Sequence, residues 1–150
     1  MTAAKVLVDT NVLVYAYDRS EPVKQPHAAE VLNQLLFRQA GFLSAQALTE
    51  FYNASTRKIT VPLSSAEAYR RVRNLATSWP VLDITPLIVL EATRGAHLYQ
   101  MPIWDAQIWA TARLNQIPTI LSEDFNDGSE IEGIRFVNPF AAGFRLSDWV

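Results

Sequence analysis

Asp9 closes the short apolar run Val6-Leu7-Val8, and Asp124 follows a second such run, Pro118-Thr119-Ile120-Leu121, by a few residues. If both runs are strands of one parallel sheet, the two carboxylates come to the same sheet edge, where ligand sites of such sheets collect. Asp105 opens a segment in which Ile108, Trp109 and Ala112 recur three, four and seven residues on, which places its carboxylate on the apolar side of a helix. A charge there requires a partner. Glu50 shares a helix face with Asn53 and Arg57, at offsets of three and seven. Carboxylates gathered with no Lys, Cys or His among them repel one another, and a hard divalent cation bound through oxygen, Mg2+ or Mn2+, resolves that repulsion. Such ions activate water and stabilise the phosphoryl transition state, so phosphodiester hydrolysis is the leading chemistry.

Each position also has a plainer reading. An Asp after a strand caps the next helix or makes a turn. Asp105 suits the positive end of its own helix, and Glu50, Asn53 and Arg57 suit a solvated polar face. Glu123, Asp127 and Glu130 add negative charge near Asp124, most of it a solvated loop. Arg57, Lys58, Arg70, Arg71 and Arg73 form either a rim for a polyanion or a solvated surface.

The elements that must position these groups follow from hydrophobic period and punctuation. Lys5 to Val8 reads as a strand and the segment from Asn11 as a helix. After a turn at Glu21, Pro22 and Pro26, the residues Ala28, Val31, Leu32, Leu35 and Leu36 keep helical spacing until Gly41. Phe42-Leu43-Ser44 reads as a second strand, and Ala45–Lys58 as a helix with Leu48, Phe51, Tyr52, Ser55 and Ile59 on one side. Ser64 and Glu67 have capping-box spacing and open a helix that runs to about Trp79 and stops at Pro80. Val81–Ile84 is a third strand. Pro86 starts a helix to Tyr99, a further helix covers Trp104–Asn115, and 118–121 is the fourth strand. The acidic segment Ser122–Gly133 is a loop before the fifth strand, Ile134–Val137. Strand and helix alternate throughout, which predicts an α/β fold with a mainly parallel sheet of about five strands and helices on both faces.

Composition bounds the function. With 150 residues and 49% hydrophobic content, the chain suits one domain over 1–150. It has no cysteine, and His27 and His97 belong to no ligand-spaced motif, so a zinc site through thiolate or imidazole has no support. The first apolar run is broken by Asp9 and Asn11, too early for a membrane span or signal-peptide core, and the protein is expected in the cytoplasm. A net charge of −2 excludes a general charge-driven binder of nucleic acid. There is no P-loop or G-x-G-x-x-G. Asn11 stands where a phosphohydrolase with an Asp9 nucleophile would carry a second Asp, and the only lysines are Lys5, Lys24 and Lys58, with no late one for a phosphoacceptor receiver.

The run Val6-Leu7-Val8-Asp9-Thr10-Asn11-Val12-Leu13-Val14-Tyr15-Ala16 resembles the opening strand and helix of PIN domains, especially VapC-type toxins. Leu48-Thr49-Glu50-Phe51-Tyr52-Asn53 resembles their internal glutamate motif, Trp104-Asp105-Ala106 their aromatic-Asp-Ala helix start, and Leu121 to Gly128 their closing acidic loop. The four motifs stand in family order and span most of the chain. The resemblance implies that Asp9, Glu50, Asp105 and Asp124 are an acidic quartet that holds metal, with Ser122 as a hydroxyl helper, Asn11 supporting Asp9, and Asp127 as a fifth acid. Ser122 stands where many relatives have Thr, which keeps the hydroxyl. It further implies Mg2+- or Mn2+-dependent RNA hydrolysis leaving 5′-phosphate and 3′-hydroxyl ends, a cognate antitoxin that covers the groove, and a homodimer. Asn53, Arg57 and Lys58 are the candidate RNA contacts. A metal-dependent phosphomonoesterase and a non-catalytic PIN-like binding module stand as alternatives.

Overall fold

Val6–Val8 forms β1, and all three side chains are fully buried, as a central strand covered on both faces requires. The structure, a computed structural model, describes residues 4–150, and the first three positions of the expected 1–150 domain lie outside the described residues. After β1 come α1 (Thr10–Tyr15), α2 (Lys24–Arg38), β2 (Gly41–Ser44), α3 (Ala45–Arg57), α4 (Ser65–Ser78) and β3 (Val81–Leu82). Then follow α5 (Pro86–Tyr99), α6 (Ile103–Leu114), β4 (Thr119–Leu121), β5 (Glu130–Ile131) and β6 (Ile134–Val137), with a last 3-10 turn at Leu146–Asp148.

The strands make one six-stranded sheet in the order β3-β2-β1-β4-β6-β5, parallel except for β5, which runs antiparallel to β6. The expected five strands are present. The sixth, β5, lies inside the segment read as a loop, because two residues are too few to show an alternating pattern. The third strand is also shorter than expected, ending at Leu82.

Alternation along each strand divides the core into two layers. Val6, Val8, Leu121 and Val137 face a cluster with Leu13, Leu32, Leu35, Phe51 and Trp79, contributed by α1 to α4 and the residue that ends α4. Leu7, Ile120, Ile134 and Phe136 face the other way, against Ile88 of α5 and Ile108 and Trp109 of α6. The result is an α/β/α sandwich with a mostly parallel sheet between two helical layers.

Short polar side chains start the helices. The hydroxyls of Ser44, Ser64 and Thr85 accept from the backbone N–H groups of Ala47, Glu67 and Ile88 and cap α3, α4 and α5. The helix before Gly41 ends at Arg38, with Gln39 in the left-handed region at φ 54°. Gly41 serves packing instead, since a Cβ there would stand 2.4 Å from the ring of Trp79. Gly95 has the same role on the opposite face, where a Cβ would stand 2.5 Å from the fully buried ring of Trp109.

Gly95→Ala therefore tests the packing of the α5/α6 layer. Helix propensity alone would make alanine more stable by about 1 kcal/mol. Overpacking against an immobile ring costs about 1–3 kcal/mol. The variant is expected to melt below the wild type in a thermal scan followed by circular dichroism.

Candidate metal centre and groove

Strand order changes direction at β1, which has β2 on one side and β4 on the other. The crevice at the carboxyl ends of β1 and β4 is therefore a topological switch point, the usual place for a ligand in such a sheet. Val8 is in register with Leu121, and the Asp9 N–H donates to the Leu121 carbonyl at 3.0 Å, so Asp9 and the Ser122–Asp124 segment leave the sheet side by side.

Asp9 is 5% exposed. One oxygen accepts from the Thr10 N–H at 2.7 Å, and the other from the Ser122 hydroxyl at 2.8 Å and, more weakly, from Asn11 Nδ2 at 3.4 Å. Asn11 ties the two strand ends together. Its Nδ2 also faces Ser122 Oγ at 3.0 Å and Asp124 Oδ2 at 3.2 Å, while its Oδ1 accepts from the Glu123 N–H at 3.1 Å. Burial pushes the Asp9 carboxyl up to about 7 despite these donors, and the negative charges of Asp124 and Glu50 push the same way.

Glu50 projects from the middle of α3 toward α1, where its Oε2 accepts from the Thr10 hydroxyl at 2.8 Å. Its Oε1 accepts from Gln46 Nε2, one helical turn earlier, also at 2.8 Å. Asp105, in the first turn of α6, is half-buried rather than fully inside its helix's apolar side. Burial raises its carboxyl above the usual range, and Asp124 and Glu50 again add to the effect. Asp9 and Asp105 thus both lie in the field of Glu50 and Asp124, and the fold gathers the four carboxylates picked out from the sequence.

The other expected residues divide. Ser122 and Asn11 sit within the cluster. Asp127 is exposed and accepts from the Asn138 N–H at 2.8 Å, tying the acidic loop before β5 to the residue that follows β6 rather than joining the quartet. Glu123 is neutralised by Lys24 Nζ at 2.6 Å and accepts from the Tyr15 hydroxyl at 2.7 Å, which together hold its carboxyl below the usual range although burial opposes them.

A groove of about 990 Å³ runs along these elements. Thr10, Asn11, Glu50, Asn53, Lys58, Trp104, Gln107 and Asp124 are among its lining residues, whereas Asp9 and Asp105 do not line it. Arg57, Arg70, Arg71 and Arg73 do not line it. Among the described residues, Lys58 is the one cation of the lining, against Asp18, Glu21, Glu50, Glu123 and Asp124.

The donor set fits a hard divalent cation. It consists of oxygen ligands, with a buried carboxyl that no cation among its neighbours compensates. Among the described residues no three His, Asp or Glu side chains converge into a ready cage.

Sequence reasoning did not find Gln46, Gln107 or the Thr10 hydroxyl. Gln46 was legible in one respect, as it precedes Glu50 by four residues and so shares its face. Of the four tryptophans, Trp79 and Trp109 are buried, Trp149 packs against the core, and Trp104 alone is largely exposed, at the groove.

The chain belongs to the PIN domain family, which it matches over residues 6–126. PIN domains are typically nucleases and generally bind divalent metals. Among solved structures, the chain is similar to a toxin–antitoxin complex from Klebsiella pneumoniae, at 20% identity and a TM-score of 0.65, covering 91% of this chain and 98% of that one. It is also similar to DNA-bound VapBC from Salmonella typhimurium, at 18% identity and a TM-score of 0.65, covering 89% and 96%. A third likeness is to VapC20 of Mycobacterium tuberculosis, a Sarcin-Ricin loop cleaving toxin, at 18% identity and a TM-score of 0.62, covering 80% and 92%. No curated protein matches the chain. Among the described residues, no helix is long and apolar enough to cross a membrane.

The raised Asp9 carboxyl makes stability depend on pH in a defined direction. Between pH 4 and 7 the folded protein keeps a proton that the unfolded chain has released, so this group stabilises the fold fully below about pH 4. That contribution is lost as pH rises through 7. For a shift of this size it is on the order of 4 kcal/mol at most. In chelated buffer, wild type is expected to lose melting temperature relative to Asp9→Asn between pH 5 and 8, with Asp9→Asn the more stable at pH 8.

Proposed function

We propose that this chain is a metal-dependent endoribonuclease, a single nuclease domain over 1–150, and the toxin of a toxin–antitoxin pair. The observation that carries this reading is the buried Asp9 carboxyl at the switch point, set in the field of Glu50 and Asp124, with Asp105 in the same field. Asp9, Asp105, Asp124 and Glu50 are the residues that would hold Mg2+ or Mn2+. When bound, the ion supplies positive charge against the phosphoryl group and a lowered pKa for the attacking water.

The chain's own residues do the rest. Asn11 and Ser122 fix Asp9 and Asp124 relative to one another through the hydrogen bonds at the ends of β1 and β4. Thr10 and Gln46 fix Glu50. Asn53 and Lys58 in the groove wall offer an amide and a cation to the RNA backbone, with Arg57 of the same helix a weaker candidate because it does not line the groove. An open groove of about 990 Å³ favours a polymer over a small phosphate ester as substrate. Its acidic lining complements a basic segment of an antitoxin, which would neutralise the carboxylates as the metal does. A cytoplasmic homodimer completes the reading; its support is the family likeness.

The test is cleavage of a structured RNA by the purified protein with Mg2+ or Mn2+. Products are expected to carry 5′-phosphate and 3′-hydroxyl ends, and excess EDTA is expected to abolish them. Asp9→Asn, Asp105→Asn and Asp124→Asn should each lower the rate by orders of magnitude, because members of one metal site act as a unit. Full activity in EDTA would remove the metal mechanism. Turnover of a small phosphate ester at a rate comparable with RNA would replace the nuclease by a phosphomonoesterase.

A further inference from the structure

Two buried glutamines beside the carboxylates have a joint arrangement that packing alone does not require. Gln46, in the first turn of α3, is 6% exposed, and Gln107, in the first turns of α6, is 8% exposed. The Gln46 amide is fully engaged. Its Nε2 donates to Glu50 Oε1 at 2.8 Å and to the backbone carbonyl of Trp104 at 3.0 Å, while its Oε1 accepts from Gln107 Nε2 at 2.7 Å. This is the only orientation of that amide that sets donors against acceptors, since a carboxylate and a carbonyl can only accept. The Thr10 hydroxyl supplies the other donor to Glu50, so each of its oxygens has one.

The bridge spans two elements that carry different members of the quartet. Glu50 lies on α3 and Asp105 on α6, and Gln46 is bonded both to Glu50 and to the carbonyl of the residue before Asp105. Gln107, whose side-chain Nε2 donates to Gln46 Oε1, holds the oxygen end of the Gln46 amide away from Glu50. A carboxylate on a long side chain costs rotamer entropy to fix, and a hydrogen-bonded neighbour that fixes it in advance strengthens metal binding.

We infer that Gln46, oriented by Gln107, is a positioning residue that fixes the Glu50 carboxylate relative to Asp105 for divalent metal. This rests on the metal-dependent reading of the site. Hydrogen-bonded neighbours of metal ligands, when removed, weaken metal binding about 10–100-fold.

The experiment is titration of the full chain with Mn2+ by calorimetry, together with a thermal melt of each variant. Gln46→Met keeps the volume and deletes the donors. Folded Gln46→Met is expected to bind Mn2+ about 10-fold more weakly than wild type. In a Glu50→Gln background the same change should have no further effect, because the residue acts through Glu50. A merely structural role would lower the melting temperature in both backgrounds and leave Mn2+ affinity of the folded protein unchanged. Equal affinity in wild type and Gln46→Met, or a loss that persists without Glu50, overturns the inference while leaving the nuclease reading intact. A wild-type protein that binds no Mn2+ overturns both. If Gln46→Met does not fold, Gln107→Met decides, since it removes only the group that orients the Gln46 amide. Weaker Mn2+ binding by that variant supports the inference and unchanged binding overturns it.

Discussion

A carboxyl group buried at the end of the central strand is the constraint around which the rest of this protein is arranged. Asp9 cannot reach water freely, so its oxygens must find donors nearby, and the residues next to it provide them. Thr10 gives its backbone N–H, Asn11 folds its amide across to β4, and Ser122 turns its hydroxyl inward. These bonds stitch together the ends of two strands that are far apart in sequence. The donors are neutral, so they satisfy the lone pairs without cancelling the charge. The remaining electrostatic cost shows in the carboxyl itself, which is pushed up to about 7.

The second organising contact joins the helical layers across the end of the sheet. α3 belongs to the layer with Phe51 and Trp79, and α6 to the layer with Trp109. The sheet separates their apolar faces, and polar side chains of Gln46 and Gln107 meet beyond its edge. Lys24 and Glu123 do comparable work at the other side of the groove, joining the start of α2 to the loop after β4, with the Lys24 ammonium also over the ring of Tyr15 at 4.7 Å. The groove walls are therefore held by hydrogen bonds and one ion pair above a core held by apolar packing.

Much of this was legible in the sequence because it follows from short-range rules. β1, β4 and β6 are short, mostly apolar runs bounded by polar or turn residues, and Ser64 caps its helix where the capping-box spacing indicates. Asp9, Glu50, Asp105 and Asp124 stood out since each is placed against an element boundary or a helix face. What remained hidden depends on distance in space. Gln46 and Gln107 are separated by 61 positions, and neither has a residue type that marks it as part of a site. Tyr52 was placed with the apolar side of α3, yet it is 40% exposed, because Gln46 and Ala47 take the buried stripe instead. Asp127 looked like one more acid in a run of them, and only the return of the chain after β6 brings a backbone N–H, that of Asn138, to its oxygen.

Both margins of the sheet are formed by strands of two residues, β3 at one side and β5 at the other. A margin that short offers almost no row of free N–H and C=O groups on which a second chain could add a strand. The longer strands that would template such growth are all interior. Short margins disfavour assembly by strand addition, which leaves helix surfaces and loops as the favoured places for contact with a partner. The same geometry guards against edge-to-edge aggregation at high concentration.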